Sequence, residues 1–262
     1  MIFVLVALGV WVASVLFIVI VPSLLLIPYL FLHDPPLTDN AQMVEFAKSD
    51  PTSVVLQIAG VLPAHILTIV LAWLVVSRGR KFSFLKTLGL NGGGIWTWIS
   101  YPVILAGFLV VATIVSHYFP EQENDLIRML RSSRAAVYVI AFVATFTAPF
   151  VEEVVYRGVL YSAFQRVTGS PVAFLVVTFL FALVHVPQYY PSYSTIFLLV
   201  LLSVTLTAIR VKTNNLLPCV ILHTLFNGLQ SVGLIFEPLL KQPDVPAPVA
   251  AIINLLKQKE DV

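Results

Sequence analysis

The six chief polar residues inside the long apolar segments of this chain are of types that move protons and bind water, and Gln57 and His65 of the second segment join them. The six are Glu152, Glu153, Arg157, His185, His223 and Asn227. A carboxylate in a membrane-buried helix costs about 2.5–3.5 kcal/mol on insertion scales, so such a residue indicates a functional site. Carboxylates and imidazoles act as general acids and bases, and an amide donates hydrogen bonds.

The spacing of these residues places them on three helical faces. Glu153 and Arg157 are four residues apart, in the acid-first order that favours an ion pair on one face. His223 and Asn227 are also four residues apart, and His185 follows Phe181 by one turn. Because lipid cannot satisfy polar side chains, we expect the three faces to meet in one buried, water-accessible cluster.

The composition is that of a polytopic membrane protein. Hydrophobic residues make up 59% of the 262 residues and charged residues 11%, against roughly 45–50% and about 25% in soluble proteins. Mean hydropathy is +0.95. The net charge of +2 gives no indication of nucleic acid as a partner. Cys219 is the single cysteine, which excludes an internal disulfide and a multi-cysteine metal site, and we expect it to be a packing residue.

Apolar segments long enough to span a bilayer predict an all-α, polytopic transmembrane helix bundle of about seven or eight helices. The first segment starts at Met1 without basic residues, which predicts a retained span rather than a cleaved signal peptide, and Pro22 and Pro28 are expected to kink or break it. An amphipathic piece at 120–134 is predicted at the membrane interface. The predicted spans are 1–32, 52–76, 95–118, 135–165, 171–186, 192–209 and 213–235, with a weaker apolar tail at 246–256.

The distribution of basic residues predicts the orientation. The loops after the second, fourth and sixth spans carry Arg78, Arg80, Lys81, Lys86, Arg166, Arg210 and Lys212. Alternating spans bring these loops to one side, and the positive-inside rule makes that side, with the N-terminus, cytoplasmic. Arg128, Arg131 and Arg134 lie on the opposite side and count against this orientation.

Three motifs in order now point to a family. Glu152-Glu-x-x-x-Arg157, Phe181-x-x-x-His185 and His223-x-x-x-Asn227 resemble the CAAX-protease and bacteriocin-processing family of intramembrane proteases. The resemblance covers about residues 135–232. It divides the chain into N-terminal transmembrane helices with an interfacial segment (1–134), an intramembrane protease core (135–232) and an amphipathic C-terminal tail (233–262).

The resemblance implies an endopeptidase that cleaves a membrane-associated substrate, either prenylated and CAAX-type or bacteriocin-like. Our hypothesis is that Glu152 takes the proton of a water held jointly with His185, since a poorly solvated carboxylate is a competent base. His223 and Asn227 would donate hydrogen bonds to the oxyanion. Glu153 and Arg157 would support the site as an ion pair.

Several alternatives stay open at this level. Two histidines and a glutamate could hold zinc with a water in the fourth position, although Asn227 is a poor zinc ligand, and we expect no cofactor. A transporter or proton relay could use the same buried chain, and an inactive scaffold would only bind a membrane partner. His65 has no motif residue at helical spacing in the sequence and is expected to form a contact between helices. The predicted partners are the lipid bilayer and a membrane-tethered peptide or lipidated protein.

Two further expectations concern location and depth. Compact loops and the absence of a retrieval signal at Lys259–Val262 favour a prokaryotic plasma membrane over the endoplasmic reticulum. At 1.5 Å per residue, Glu152 lies roughly 25 Å into the fourth span and His185 roughly 20 Å into the oppositely directed fifth. These depths do not meet cleanly unless Pro149 kinks the fourth span or its first turns lie outside the hydrocarbon.

Overall fold

The fold is a bundle of helices, seen in a computed structural model that describes residues 1–33, 39–92 and 95–240. Within these residues there are helices and loops and no strand, which confirms the all-α class. Seven helical stretches are long and apolar enough to cross a membrane. The possible eighth helix at 246–256 and most of the predicted tail lie outside the described residues.

The helices follow the predicted spans closely. Their bounds are α1 Ile2–Phe31, α2 Asn40–Ser49, α3 Pro51–Ala59, α4 Val61–Ser77, α5 Phe84–Leu88, α6 Ile95–Tyr118, α7 Asp125–Ser132, α8 Arg134–Phe142, α9 Ala148–Glu153, α10 Tyr161–Thr168, α11 Ser170–Tyr189, α12 Tyr193–Thr213 and α13 Leu217–Leu240. Two π-helical segments, Val143–Thr147 and Val154–Leu160, join α8, α9 and α10 into one continuous fourth span.

The prolines of the first span do not break it. Pro22 and Pro28 both lie inside the continuous helix α1. A span in lipid must satisfy its backbone groups internally, so the helix persists beyond the lost hydrogen bonds. Gly60, between α3 and α4, packs against this part of α1, since a Cβ at Gly60 would lie 2.7 Å from the Pro22 Cα. The glycine therefore permits close contact between the first two spans.

Loops predicted on one side of the membrane are in contact in the structure. The Leu216 amide donates to the Gly89 carbonyl (3.0 Å), which joins the loops after the second and sixth spans. Arg78 and Arg166, after the second and fourth spans, both lie over the Phe3 ring. The N-terminus and these three loops are therefore on one side, while the cytoplasmic identity of that side stays a prediction.

The opposite side is closed by α2 and α7. Lys48 of α2 pairs with Asp125 of α7 at 2.6 Å and holds the pKa of that carboxyl below its ordinary value. The apolar residues of α7, including the buried Leu130, pack on a cluster with Val54 of α3 and Val137 of α8. The amphipathic piece is thus a helix docked on the bundle, and its placement at the membrane interface stays a prediction.

Candidate active site

The two glutamates lie at the end of α9, a short α-helical segment between the two π segments. π turns are rare and frequent at functional sites. Pro149 explains the first one, because its ring displaces the carbonyl four residues earlier and it has no N–H to donate. The Ala148 amide instead bonds to the Val143 carbonyl, five residues back.

Asn227 satisfies the backbone group that this proline leaves without a donor. In the π pattern the Ala144 carbonyl would accept from the amide of residue 149, which proline lacks. The Asn227 Nδ2 of α13 donates to the Ala144 carbonyl at 2.9 Å instead. An amide nitrogen carries two hydrogens, so the second remains for another acceptor.

Glu153 and Arg157 form the predicted ion pair, and both are fully buried. Arg157 Nη1 donates to Glu153 Oε1 at 2.8 Å. The remaining guanidinium nitrogens donate to α12, to Ser203 Oγ (2.9 Å), the Ser203 carbonyl (3.1 Å) and Thr207 Oγ1 (3.3 Å). The guanidinium also lies over the Phe181 ring at 4.6 Å. The pair therefore joins the fourth, fifth and sixth spans.

His223 lies between the two carboxylates, a contact that the sequence did not predict. Its Nδ1 is 2.9 Å from Glu153 Oε1 and its Nε2 is 3.8 Å from Glu152 Oε2. An ionised carboxylate only accepts hydrogen bonds, so Nδ1 carries a hydrogen. The Nε2 of His223 can then donate only when the ring is a charged imidazolium.

Glu152 is the more accessible carboxylate of the pair. Its side chain is 21% exposed, whereas that of Glu153 is 0% exposed. It lies within electrostatic range of Tyr156 and of Tyr189 at the end of α11. Glu152 is therefore the acidic group of this cluster that a water can reach.

His185 lies on the stripe of α11 that faces these residues. Its Nδ1 donates to the Phe181 carbonyl at 2.7 Å, because a carbonyl only accepts. The Nε2 of the neutral ring is then a free acceptor. The His185 ring is 4.7 Å from that of Phe181 and 6.5 Å from that of Tyr189. Phe181 contacts Arg157, and Tyr189 is within electrostatic range of Glu152.

The depth conflict between Glu152 and His185 disappears when both are counted from the loop at Gly169. Each then lies nearly the same number of residues into its span. The fourth span has 35 residues, roughly 50 Å of helix against a hydrocarbon core of about 30 Å. The span is therefore longer than the hydrocarbon core is thick, and the position of its first turns outside the hydrocarbon stays a prediction.

Residues 134–229 match the family model described as type II CAAX prenyl endopeptidase Rce1-like. This segment is therefore similar to the CAAX-protease family, over 96 of the 262 residues. All three motifs lie within the match. No curated protein and no solved structure matches the chain. The domain boundaries predicted at 134 and 232 stay predictions.

Two aromatic residues of the matched segment are packing residues. Tyr156 is buried and its hydroxyl accepts a hydrogen bond from Trp11 Nε1 of α1 at 3.1 Å. Phe181 is buried between Tyr156, His185 and Arg157. Cys219 is buried and free, in agreement with its predicted packing role.

The arrangement of possible metal ligands can be compared among the residues that the structure describes. No three histidine, cysteine, aspartate or glutamate side chains there are arranged to hold an ion. The expectation of chemistry without a cofactor stays a prediction. His65, which the sequence assigned only to helix contact, lies 2.9 Å from Thr147 and within electrostatic range of Glu152. Nothing in its local sequence signals this proximity.

Proposed function

We propose that the protein is an intramembrane endopeptidase in which Glu152 activates the attacking water. The observation that carries this proposal is the different accessibility of two adjacent carboxylates. Glu153 is enclosed by Arg157 and His223, whereas Glu152 is partly exposed and opposite the Nε2 of His223. A solvent-accessible carboxylate such as Glu152, beside the imidazole of His223 and within apolar spans, is suited to general-base chemistry.

In this mechanism Glu152 takes one proton from a water that also donates a hydrogen bond to His185 Nε2. The hydroxide attacks the carbonyl carbon of the peptide bond and its oxygen becomes an oxyanion. His223 Nε2–H and the second Nδ2–H of Asn227 donate to that oxyanion. Each such donor is typically worth about 10²–10³ in rate. The C–N bond then breaks, and the leaving nitrogen takes the proton from Glu152.

The ion pair supports this mechanism through charge. Glu153 accepts from both Arg157 Nη1 and His223 Nδ1. Its negative charge lies 2.9 Å from His223 Nδ1 and holds the ring so that Nε2 is directed toward Glu152, at 3.8 Å. Glu153 is thus a positioning residue for His223 as well as the partner of Arg157.

The substrate is a membrane-tethered peptide, prenylated and CAAX-type or bacteriocin-like. The family description favours the prenylated class. A catalytic group placed at mid-span requires the scissile bond to enter the bundle, and a lipid anchor keeps the peptide at the membrane where it can do so.

The decisive experiment measures cleavage of an internally quenched, farnesylated CAAX peptide by purified protein in liposomes. We expect Glu152→Ala and His185→Ala each to lower kcat by about 10²-fold or more, the usual contribution of general acid–base groups. Glu123→Ala is the matched control, because Glu123 is an exposed carboxylate paired with Arg131. Near-normal cleavage by a folded Glu152→Ala protein would overturn the assignment. Glu152→Gln with bound peptides identified by mass spectrometry then tests the substrate class.

One observation keeps a zinc enzyme as the second candidate. His185 and His223 both donate through Nδ1 and leave Nε2 free in the neutral form, the arrangement typical of histidines that ligate zinc. In the same liposome assay, a strong chelator should leave cleavage unchanged if Glu152 acts without metal. Loss that added zinc restores would favour the metalloprotease.

A further inference from the structure

His65 of α4 has one hydrogen-bonding partner whose chemistry determines which ring nitrogen carries the hydrogen. Its Nδ1 is 2.9 Å from Thr147 Oγ1. The Thr147 hydroxyl donates its single hydrogen to the Val143 carbonyl at 3.1 Å. The Thr147 oxygen can therefore only accept from His65, so Nδ1 carries the hydrogen and the Nε2 of neutral His65 is an acceptor.

That acceptor is available to the site of Glu152. His65 is 4% exposed, and its Nε2 makes no hydrogen bond to any residue within the described ranges. Helix α4 packs along α9 and both π segments, and the Glu152 carboxylate acts electrostatically on the His65 ring. The second span thus places a third imidazole within electrostatic range of this carboxylate, and its tautomer matches that of His185.

We infer that His65 is a positioning residue for Glu152, whose protonated carboxyl donates a hydrogen bond to His65 Nε2 directly or through one water. This inference rests on the proposed function. In the proposed reaction Glu152 holds a proton between attack on the carbonyl and departure of the amine. A neutral acceptor beside it orients that carboxyl for the second transfer without removing the proton.

A purely structural role would use only the Nδ1 side of the ring. The contact between the second and fourth spans requires one hydrogen-bond donor to Thr147 Oγ1. An asparagine at position 65 also supplies that donor, because its amide nitrogen lies at the same distance from Cβ as the imidazole Nδ1. The imidazole adds an acceptor at Nε2 that this contact does not need. Asparagine at position 65 therefore separates the two roles.

The test compares His65→Asn with Thr147→Val in the farnesylated-peptide assay. We expect His65→Asn to lower kcat about 10- to 100-fold, below the loss for the general base itself, with KM within about twofold and an unchanged Tm. Thr147→Val removes the Nδ1 partner and keeps Nε2, so it should lower Tm more than kcat. His117→Asn, at the exposed end of α6, is the matched control. A His65→Asn protein with wild-type kcat would overturn the inference. The inference would also be overturned if His65→Asn and Thr147→Val lowered kcat by the same factor and Tm by the same number of degrees.

A double-mutant cycle distinguishes failure of this inference from failure of the proposed function. If His65 acts through Glu152, His65→Asn should have little further effect on the residual rate of Glu152→Gln. Full activity of Glu152→Gln refutes the proposed base. An inactive Glu152→Gln with a fully active His65→Asn refutes only the role of His65.

A spectroscopic readout does not depend on cleavage. In protein labelled with ¹⁵N-histidine, the His65 signals are assigned by their loss in His65→Asn. We expect the Nε2 signal to be that of an unprotonated nitrogen and to shift in Glu152→Gln but not in Glu123→Gln. A signal that Glu152→Gln leaves unmoved would overturn the inference.

Discussion

At the scale of single residues, the environment separates Glu152 from Glu153. The i,i+4 spacing predicts the Glu153–Arg157 pair, because both side chains belong to one helical face. The contact between Glu153 and His223 joins residues 70 positions apart, and no local pattern indicates which carboxylate an imidazole on another span will reach. The motif positions were therefore predictable, whereas the bond to His223 was not.

Replacing Glu153 with glutamine tests its effect on His223. A glutamine Oε1 can still accept from Arg157 and His223, but the negative charge between these two side chains is gone. We expect Glu153→Gln to lower kcat by about 10²–10³, the value of one oxyanion donor, with little change in KM. Steady-state kinetics on the farnesylated peptide measures this.

The matched control is Glu123→Gln, which removes an exposed carboxylate. Thermal unfolding in detergent should show that both variants fold. Unchanged kcat in a folded Glu153→Gln protein would mean that the charge of Glu153 does not act on His223.

At the scale of elements, hydropathy predicts the spans well and the turns within them poorly. The seven predicted apolar segments correspond to the seven candidate spans, since their lengths depend on composition alone. The π segments depend on which neighbouring groups donate hydrogen bonds to the displaced carbonyls. Pro149 was a visible signal of a disturbed turn, but the donor that compensates for it, Asn227, comes from another helix.

The Pro149–Asn227 relation predicts a coupled pair of substitutions. Asn227→Ala leaves the Ala144 carbonyl without its donor, and an unsatisfied buried group costs about 1–3 kcal/mol. Pro149→Ala restores an N–H that can bond to the Ala144 carbonyl. We therefore expect Asn227→Ala to destabilise the Pro149→Ala protein less than the wild type, with a coupling of about 1 kcal/mol, measured by denaturation in micelles.

Pro102→Ala is the control for this cycle, because Pro102 is an exposed proline inside α6. Its combination with Asn227→Ala should be additive. Additivity in the Pro149 cycle as well would show that the two residues do not share the Ala144 carbonyl.

At the scale of the whole molecule, the contacts between loops show that most basic loops lie on one side of the bundle. The basic loops after the second, fourth and sixth spans lie beside one another and the N-terminus. The sequence could predict this because alternation of spans follows from their number. The arginines between the third and fourth spans are partly neutralised, since Arg131 pairs with Glu123 and Arg128 with Asp125.

Cysteine accessibility tests the orientation. In a Cys219→Ala background, we expect a membrane-impermeant maleimide added to intact cells to label Glu123→Cys but not Lys81→Cys or Lys212→Cys. All three positions are exposed, so permeabilised cells should show labelling of each. Labelling of Lys81→Cys before permeabilisation would reverse the orientation.

The buried cluster around the matched segment, residues 134–229, includes small residues of the first two spans. Ala7 and Val10 of α1 and Ala72 of α4 pack in the same cluster as Leu160 and Phe181. Small side chains at helix contacts let backbones approach closely, so these positions set the distance at which the first spans support the residues of the site. A chimera that joins residues 134–229 to the leading helices of another protein would therefore contain the motifs but not the helix-to-helix distances that position them. It would keep those distances if the new helices had equally small residues at the matching turns.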